Sequence, residues 1–448
     1  MSTASGRQPL DDAAAPTRDH GARATRTIRG GLRVSGTTLD DYTGRYASRV
    51  HGMAQSEIRA LFSVASRPEV VSLAGGNPYT AALPMDELGE MFTRLLSQVG
   101  AEALGYCPGQ GSIALREALC GVLELSGIRA SADDLVLTTG AQQGLDLLAR
   151  TFLDPGDIVL AEGPTYVGAL GAFQAAQADV RHLPMDDDGL IPAGLEEGLA
   201  ALEREGRRAK FLYTIPTYQN PAGVTLTEER REEILAIAER HGLLVIEDDP
   251  YSMISFEGAP PAPLRARAER GVIYLGTVSK IFAAGLRLGW VLAPPAVRDK
   301  LLLAIEASIL CPSGLTQEAT LRFLTEMEWR QQVKVFNTLY RDRRDALLGA
   351  LGDYMPEGMT WTVPGGGLFI WATLPEGLDS KAMLPRALQE RVAYVPGTGF
   401  YADGNGRREM RLNFSTQTSE TIREGVRRLA GVVAGDIDLR DTFAGGAA

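Results

Sequence analysis

The sequence is poor in the residues that build metal sites and disulfide frameworks. It contains three cysteines, Cys107, Cys120 and Cys311, and four histidines, none of which pairs with another at the spacing of metal ligands. Cysteines this few and this scattered exclude a disulfide-stapled scaffold and are typical of proteins in a reducing compartment. We therefore expect a cytoplasmic protein without a metal site.

Long apolar runs and an excess of positive charge are also missing. No apolar run approaches the roughly 18–20 residues that a membrane span needs. The 45 basic and 56 acidic residues give a formal net charge of −11, which argues against binding to nucleic acid or to a membrane surface. With 448 residues, of which 45% are hydrophobic, the chain has enough apolar material for a large core.

The two ends of the chain differ in composition from the rest. Residues 1–45 are small, polar and rich in arginine; they lack the apolar core of a secretory signal, and their aspartates argue against organelle targeting. We predict a flexible tail over residues 1–45 and a second tail over 436–448. Between them we predict a segment, 46–85, that packs with the small domain, a large domain over 86–329, and a small C-terminal domain over 330–435.

Short apolar runs alternate with helical patterns from about residue 114 onward. DIVLAEGPTY, FLYTIPTYQNP, GLLVIEDDPY and GVIYLGTVSK each end in a polar or Gly/Pro cluster, and amphipathic segments such as TEERREEILAIAERHG separate them. Continuous apolar strands between helices are typical of a parallel sheet that is covered on both faces. We therefore predict an α/β fold with a mainly parallel, helix-flanked sheet. A smaller α+β unit follows, and it opens with a long amphipathic helix from Trp329.

Polar side chains follow these strands at the points where the strands end. These side chains are Tyr166, Asn220, Asp248, Tyr251, Thr277, Ser279 and Lys280, with Arg287 beyond. The segment GAQQG (140–144) also follows a strand, and it opens a helix with free backbone N–H groups. In open α/β sheets, ligands bind beyond the carboxyl ends of the strands. We therefore expect these residues to form one site.

This set of side chains fits pyridoxal 5′-phosphate. The aldehyde of that cofactor needs a lysine to form a Schiff base. Its pyridine nitrogen needs a carboxylate to stay protonated, so that the ring draws electrons from the substrate's α-carbon. Asn220 and Tyr251 would donate to its phenolic oxygen. Helix-terminal amides, hydroxyl groups and an arginine suit its phosphate.

Ten fragments in order resemble the fold-type I pyridoxal-phosphate-dependent aminotransferases of class I and II, specifically the kynurenine/α-aminoadipate aminotransferase subgroup. They extend over nearly the whole chain after residue 50: SEIRALF, SLAGGNP, LGYCPGQGSIALREAL, TTGAQQGLDLLARTFLDPGD, EGPTY, IPTYQNPAG, EDDPY, TVSKIFAAGLRLGW, PGGGLFIW and RLNFS. The resemblance implies a ping-pong transfer of an amino group from an α-amino acid to a 2-oxo acid through a Lys280 Schiff base. It also implies a homodimer with active sites at the interface.

The resemblance further implies a role for each matching residue. The catalytic residues would be Lys280, which shuttles a proton, Asp248, which pairs with the ring nitrogen, and Tyr166, which stacks on the ring. The other cofactor contacts would be Ala141, Gln142, Asn220, Tyr251, Thr277, Ser279, Arg287 and, toward the neighbouring subunit, Tyr106. The substrate contacts would be Arg411, which clamps the α-carboxylate, together with Asn220, Arg59, Gly76 and Asn77.

Other interpretations of single residues remain open. Asp248 and Asp249 would also suit a helix N-cap pair, and Tyr166 and Tyr251 would also suit core positions. Arg59 would also suit a solvated helix surface.

Other functions remain open as well. The loop Asn77-Pro78-Tyr79-Thr80 stands where the family usually has an apolar residue and proline, which leaves the substrate undecided and points to a specialised biosynthetic pathway. The same cofactor supports elimination or replacement, decarboxylation, or oxidation and cyclisation. A third alternative is a regulatory, aminotransferase-like domain behind a DNA-binding winged helix. Residues 1–45 are too short and too poor in apolar residues for such a helix.

Overall fold

The structure, a computed structural model, describes residues 42–51, 53 and 67–445. Residues 42–47, with the 3₁₀ turn Thr43–Arg45, belong to a unit separate from the residues that begin at Ser48. Most of the predicted tail over residues 1–45 and the predicted site residue Arg59 lie outside the described residues.

The strands and helices follow one another along the chain in mostly alternating order. The strands are β1 (Val71–Ser72), β2 (Leu135–Thr138), β3 (Ile158–Gly163), β4 (Asp179–Asp186), β5 (Gly189–Leu190), β6 (Ala209–Thr214), β7 (Leu244–Asp249), β8 (Val272–Thr277), β9 (Gly289–Leu292), β10 (Thr360–Trp361), β11 (Phe369–Thr373), β12 (Val392–Ala393), β13 (Val395–Pro396) and β14 (Glu409–Asn413). The helices are α1 (Ser48–His51), α2 (Met85–Ala103), α3 (Ile113–Glu124), α4 (Ala141–Phe152), α5 (Val167–Ala175), α6 (Pro192–Arg204), α7 (Glu228–His241), α8 (Leu264–Arg267), α9 (Pro295–Ile309), α10 (Gly314–Glu326), α11 (Trp329–Tyr354), α12 (Ser380–Gln389) and α13 (Ser419–Gly445).

The largest sheet within the described residues has eight strands in the order β2-β9-β8-β7-β6-β3-β4-β5. The pairs from β8 through β7, β6 and β3 to β4 are parallel, whereas β9 pairs antiparallel with β2 and β8, and β5 pairs antiparallel with β4. Helices α4, α5 and α9 pack on one face of this sheet, and α6 and α7 pack on the other. The predicted mainly parallel, helix-flanked sheet is confirmed.

Helix α7 has the limits that its sequence predicts, and it also braces the site. The side chain of Thr227 accepts a hydrogen bond from the Arg230 N–H at 3.4 Å, and Gly242 ends the helix in the left-handed conformation. Arg231 on this helix is fully buried, and its guanidinium donates to the Pro216 carbonyl at 2.8 Å. This contact fixes the segment that leaves β6 toward Asn220.

A smaller antiparallel sheet, in the order β10-β11-β14-β13, follows the large one in sequence. Helices α11 and α13 contribute buried side chains to the core beside it, as expected for a smaller α+β unit. Strand β1 pairs with β12, and the Asn413 N–H donates to the Leu73 carbonyl at 2.7 Å. The N-terminal segment is thus hydrogen-bonded to the C-terminal part, while the domain boundaries at 85/86 and 329/330 stay predictions.

The chain remains helical where the sequence suggests a closing tail from residue 436. Helix α13 continues to Gly445. Asp436 is buried and accepts a hydrogen bond from the Arg386 guanidinium at 2.5 Å, while Ile437 packs against the core. These two contacts hold the segment in place as a helix, although its small residues are typical of a tail. Across the part of the chain that the structure describes, no helix combines the length and the apolar character needed to cross a membrane.

Candidate active site

The candidate site lies at the carboxyl ends of β6, β7 and β8, which are adjacent parallel strands of the large sheet. Asp248 stands near the end of β7, and its carboxylate is almost fully buried. One oxygen, Oδ2, accepts a hydrogen bond from the Tyr213 hydroxyl at 2.8 Å. The other, Oδ1, is buried without a hydrogen-bond partner among the described residues. Burial raises the pKa of Asp248 to about 7.

Arg411 connects the small sheet to this site. Its guanidinium donates to Asn220 Oδ1 at 2.9 Å and to the carbonyls of Ala74 and Gly75 at 3.1 Å. Burial lowers the pKa of Arg411 to about 10, so the side chain still carries its charge at neutral pH. Asn220 donates in turn to the Tyr251 hydroxyl at 3.3 Å. Among the described residues no carboxylate pairs with Arg411. A buried guanidinium in this state is costly, and it indicates a place for an anionic ligand.

Lys280 follows β8 and points toward the N-terminal segment. Its amine donates to the Gly76 carbonyl at 2.8 Å. Burial, and then the positive charges of Arg411 and Arg287, lower the pKa of Lys280 to about 8, against the opposing charge of Asp248. Since an amine must lose its proton before it can act as a nucleophile or a base, this environment prepares Lys280 for both roles.

An anion cradle is formed where α4 begins. Gly140 precedes the helix with φ +77°, and no side chain caps the first turn. A Cβ at this glycine would overlap the guanidinium of Arg287, which therefore lies against the helix terminus. Thr277 and Ser279 stand beside it, with their hydroxyl oxygens 2.8 Å apart. Free helix amides, two hydroxyls and a guanidinium together suit a phosphate.

The first residues of α4, Ala141 and Gln142, face the start of α5. Gln142 donates through Nε2 to the Gly168 carbonyl at 2.7 Å. A Cβ at Gly168 would overlap both Gln142 Oε1 and the ring of Tyr166, so this glycine allows the two side chains to come together. Burial, and then the charge of Asp248, raises the pKa of Tyr166, and its phenol therefore stays protonated.

Two predicted site residues in the described part of the chain, Tyr106 and Asn77, lie outside this cluster. Tyr106 follows α2 and is 88% exposed. Asn77 is also exposed, and it contributes its backbone carbonyl, which accepts a hydrogen bond from Ser415 Oγ at 2.6 Å. Arg59 lies outside the described residues. The roles predicted for these residues, like those of the other site residues, stay predictions.

The structure adds site residues that the sequence did not single out. Tyr213 holds Asp248, and the rings of Phe369 and Phe400 lie 4.1 and 5.2 Å from the Arg411 guanidinium carbon. Phe369 belongs to the fragment PGGGLFIW, but a phenylalanine in an apolar strand gives no sign that it covers a guanidinium. The sequence offers one hint that Tyr213 belongs to the site, which is its hydroxyl group within the mainly apolar run FLYT.

Pyridoxal 5′-phosphate fits the residues that are present. The unpartnered Asp248 Oδ1 would accept a hydrogen bond from a protonated ring nitrogen, and the cradle at Gly140 and Arg287 would take the phosphate. The amine of Lys280 would hold the aldehyde. Within the described ranges, no group of three or more His, Cys, Asp or Glu side chains is arranged to bind a metal ion.

The chain matches known proteins along most of its length. Residues 68–429 match the family described as aminotransferase class I and II. Aromatic-amino-acid aminotransferase 1 of Thermococcus litoralis is 42% identical over 392 residues, which cover 87% of this chain and 94% of the relative.

Two solved structures share the fold. A kynurenine aminotransferase of Pyrococcus horikoshii superposes with a TM-score of 0.85 and 40% identity, over 89% of this chain and 99% of that one. An α-aminoadipate aminotransferase of Thermus thermophilus, bound to N-(5′-phosphopyridoxyl)-L-leucine, superposes with a TM-score of 0.82 and 34% identity, over 89% of this chain and 99% of that one.

Proposed function

This chain belongs to the class I and II aminotransferases, and from that premise we propose how its own residues transfer an amino group between an α-amino acid and a 2-oxo acid. Pyridoxal 5′-phosphate is the cofactor, and when bound it supplies a ring that draws electrons from the substrate's α-carbon. The observation that carries the proposal is that Lys280, Asp248 and Arg411 come together from separate parts of the chain. Arg411 and Lys280 donate to the adjacent carbonyls of Gly75 and Gly76, and the charges of Arg411 and Asp248 both act on the pKa of Lys280.

Five groups would bind the ring and the phosphate of the cofactor. Asp248 would keep a proton on the ring nitrogen through its free oxygen, and Tyr166 would lie on the ring face. Asn220 and Tyr251, which already contact each other at 3.3 Å, would donate to the phenolic oxygen. The cradle around Arg287 would take the phosphate.

Lys280 would move the proton at the substrate's α-carbon. The pKa of Lys280 in this site is about 8, which leaves a fraction of its amine neutral at physiological pH and able to accept a proton. The Gly76 carbonyl, 2.8 Å from the amine, would fix its position between proton transfers. Arg411 would bind the α-carboxylate and so hold the α-carbon within reach of Lys280.

The substrate side chain would lie beside the loop that follows Gly76. The Tyr79 N–H donates to the Tyr340 hydroxyl at 2.7 Å, and the guanidinium of Arg343 lies 4.1 Å from the Tyr79 ring centre. Because α11 holds the loop in this way, the loop would present a fixed wall. The similar proteins are named for aromatic amino acids, kynurenine and α-aminoadipate, and we propose these as the first donors to test.

We further propose that the working form is a cytoplasmic homodimer in amino-acid biosynthesis. Leu104 and Tyr106, which follow α2, and Leu310, whose carbonyl lies beside Gly109, are all at least half exposed. Apolar side chains exposed together indicate a surface that another chain covers. Under this proposal Tyr106 would reach the phosphate site of the neighbouring subunit, as the family resemblance implies.

The test is an absorbance spectrum of the purified holoprotein during single half-reactions. Adding an amino donor without any 2-oxo acid should change the cofactor band, and adding a 2-oxo acid should restore it. Lys280→Ala should slow this change by roughly 10²- to 10⁴-fold, because the group that moves the proton is missing. Lys300→Ala removes an exposed lysine and should leave the rate unchanged.

The outcome of this experiment separates the candidate functions. A reversible change of the band supports transamination and ranks the donors. Oxygen uptake, or product release without a 2-oxo acid, would instead support one of the alternative reactions on the same cofactor. Full activity in Lys280→Ala would contradict the proposed role of Lys280.

A further inference from the structure

We propose that Tyr213 is a positioning residue for the reaction: its hydroxyl holds Asp248 so that Oδ1 faces the cofactor's ring nitrogen and the shared proton stays on that nitrogen. This inference rests on the proposed function and deepens it. Tyr213 does not itself touch the reacting atoms, because it acts through the carboxylate.

The sheet fixes the contact between the two residues. Strands β6 and β7 are parallel neighbours, with Tyr213 opposite Ile246. Side chains two apart on a strand share a face, so Asp248 follows Ile246 on the face that carries Tyr213. The phenol therefore reaches diagonally to Oδ2, at 2.8 Å. Tyr213 is fully buried, and its ring packs edge-to-face against Phe173 with centroids 5.5 Å apart. The hydroxyl cannot swing away without opening the core.

The consequence for Asp248 follows from its hydrogen bonds. The tyrosine occupies Oδ2, which leaves Oδ1 as the oxygen without a partner among the described residues. The Tyr213 hydrogen bond also lowers the pKa of Asp248 against the larger opposing effect of burial, while Asp249 raises that pKa and Lys280 lowers it. A less basic carboxylate competes less for the proton that it shares with the ring nitrogen. The protonated ring is the form that withdraws electrons.

The neighbouring strand supplies a matched control. Tyr274 on β8 donates to Asp249 Oδ2 at 2.9 Å, and both residues are buried. Removing the Tyr274 hydroxyl therefore breaks the same kind of buried bond in the same sheet. Asp249 also accepts the Ser252 N–H at 3.0 Å, and neither Tyr274 nor Asp249 is among the residues that we propose to touch the cofactor.

The experiment records the ¹⁵N resonance of ring-labelled pyridoxal 5′-phosphate bound to the holoprotein, for wild type, Tyr213→Phe and Tyr274→Phe. In Tyr213→Phe we expect the resonance to move toward the value of an unprotonated pyridine. We also expect kcat to fall about tenfold with KM within about twofold, because a hydrogen bond to a charged group is lost. Tyr274→Phe should keep the wild-type resonance. Tyr213→Met, which also lacks the hydroxyl, serves if Tyr213→Phe does not fold.

Each result has a definite meaning. A shifted resonance in the Tyr213 variants alone supports the inference. A wild-type resonance in a folded Tyr213 variant overturns it, as does an equal shift in Tyr274→Phe, which would be a general effect of a loosened sheet. If the wild-type protein neither binds the labelled cofactor nor transfers amino groups, the proposed function itself fails. A wild type that does both, with unaltered Tyr213 variants, contradicts only the role of Tyr213.

Discussion

Glu247, Asp248 and Asp249 are three consecutive buried acids at the end of β7, and their hydrogen bonds give them different roles. Glu247 accepts the backbone N–H groups of Leu264 and Arg265, both at 2.8 Å. Asp249 accepts a tyrosine hydroxyl and a backbone N–H. Only Asp248 among the three has a side-chain oxygen without a partner in the described structure. The residue with the open oxygen is the one that we expect to bind a cationic group.

Replacement of Asp248 by asparagine should change how the stability of the cofactor-free protein depends on pH. Burial raises the pKa of Asp248 from 3.8 to about 7, so the folded state binds the proton more tightly than the unfolded state. The wild type should therefore lose stability as pH rises from about 4 to 7, on the order of 4 kcal/mol from this group. Asp248→Asn should lack this loss. Urea unfolding of both proteins between pH 5 and 8 measures the difference.

Glu247→Gln is the comparison for this measurement. Burial also raises the pKa of Glu247 to about 7, and this residue should contribute in the same pH window. If wild type and Asp248→Asn lost stability in parallel across that window, Asp248 would already be charged and stabilised in the cofactor-free protein. The site would then need no cation to complete it.

At the scale of single elements, the start of α4 is the feature that decides anion binding. A helix N-terminus carries unsatisfied N–H groups and a partial positive charge. Here Gly140 enters the helix with φ +77° and ψ 161°, a backbone conformation that is essentially restricted to glycine, and it has no side chain that could cap the amides. The absence of a Cβ also allows Arg287 to lie against the same amides. The glycine thus leaves both groups available to one phosphate.

Gly140→Ala should weaken cofactor binding more than it weakens the fold. The alanine is strained at φ +77° and its Cβ displaces the Arg287 guanidinium, so we expect the Kd for pyridoxal 5′-phosphate to rise about tenfold or more, as for the loss of a charged hydrogen bond. Equilibrium dialysis measures this Kd.

Gly271→Ala is the control for backbone strain. Gly271 has φ +79°, but a Cβ there would meet no atom within 4 Å. Both variants should lose about 1–3 kcal/mol of stability because alanine is strained at positive φ, while Gly271→Ala keeps the wild-type Kd. Equal Kd values in the two variants would rule out a special role for the Gly140–Arg287 contact.

At the scale of the whole molecule, the exposed apolar residues around Tyr106 need an explanation. Leu104 is 70% exposed at the end of α2, and Leu310 is 50% exposed after α9. A Cβ at Gly314 would approach the backbone of Ala103 and Gly105, so the two exposed segments lie side by side. A surface of this kind suits the dimer contact that we propose.

Leu104→Asp should therefore convert the protein toward monomers and reduce its activity. The aspartate would be buried without a partner in the dimer, which costs several kcal/mol, and the monomer would lack the partner's contribution to the phosphate site. Light scattering after size exclusion measures the mass of the particle.

Val363→Asp provides the control at an equally exposed site. Val363 is 71% exposed between β10 and β11, and its replacement should change neither mass nor activity. A Leu104→Asp protein that keeps both the wild-type mass and the wild-type activity would place the dimer contact elsewhere on the surface.

The sheet, and the place where the candidate site should lie, could be predicted from the order of residues alone. Apolar runs buried on both faces predict parallel strands, and parallel strands bring their carboxyl ends to one edge. Asp248, Thr277 and Lys280 could therefore be predicted to meet, because Asp248 and Thr277 stand at the carboxyl ends of β7 and β8 and Lys280 follows β8 closely. Local order along the chain was sufficient for these residues.

Which polar atoms in the site have hydrogen-bond partners, and which lack them, depends on the tertiary structure. Arg411 bonds to Asn220 across 191 positions of the sequence, and Tyr213 is chosen from many buried aromatics by its place opposite Ile246. The helical end of the chain depends likewise on the contact of Asp436 with Arg386. These contacts depend on strand register and on the packing of distant elements. No local pattern of residue types contains that information, since it arises only when the elements are in place.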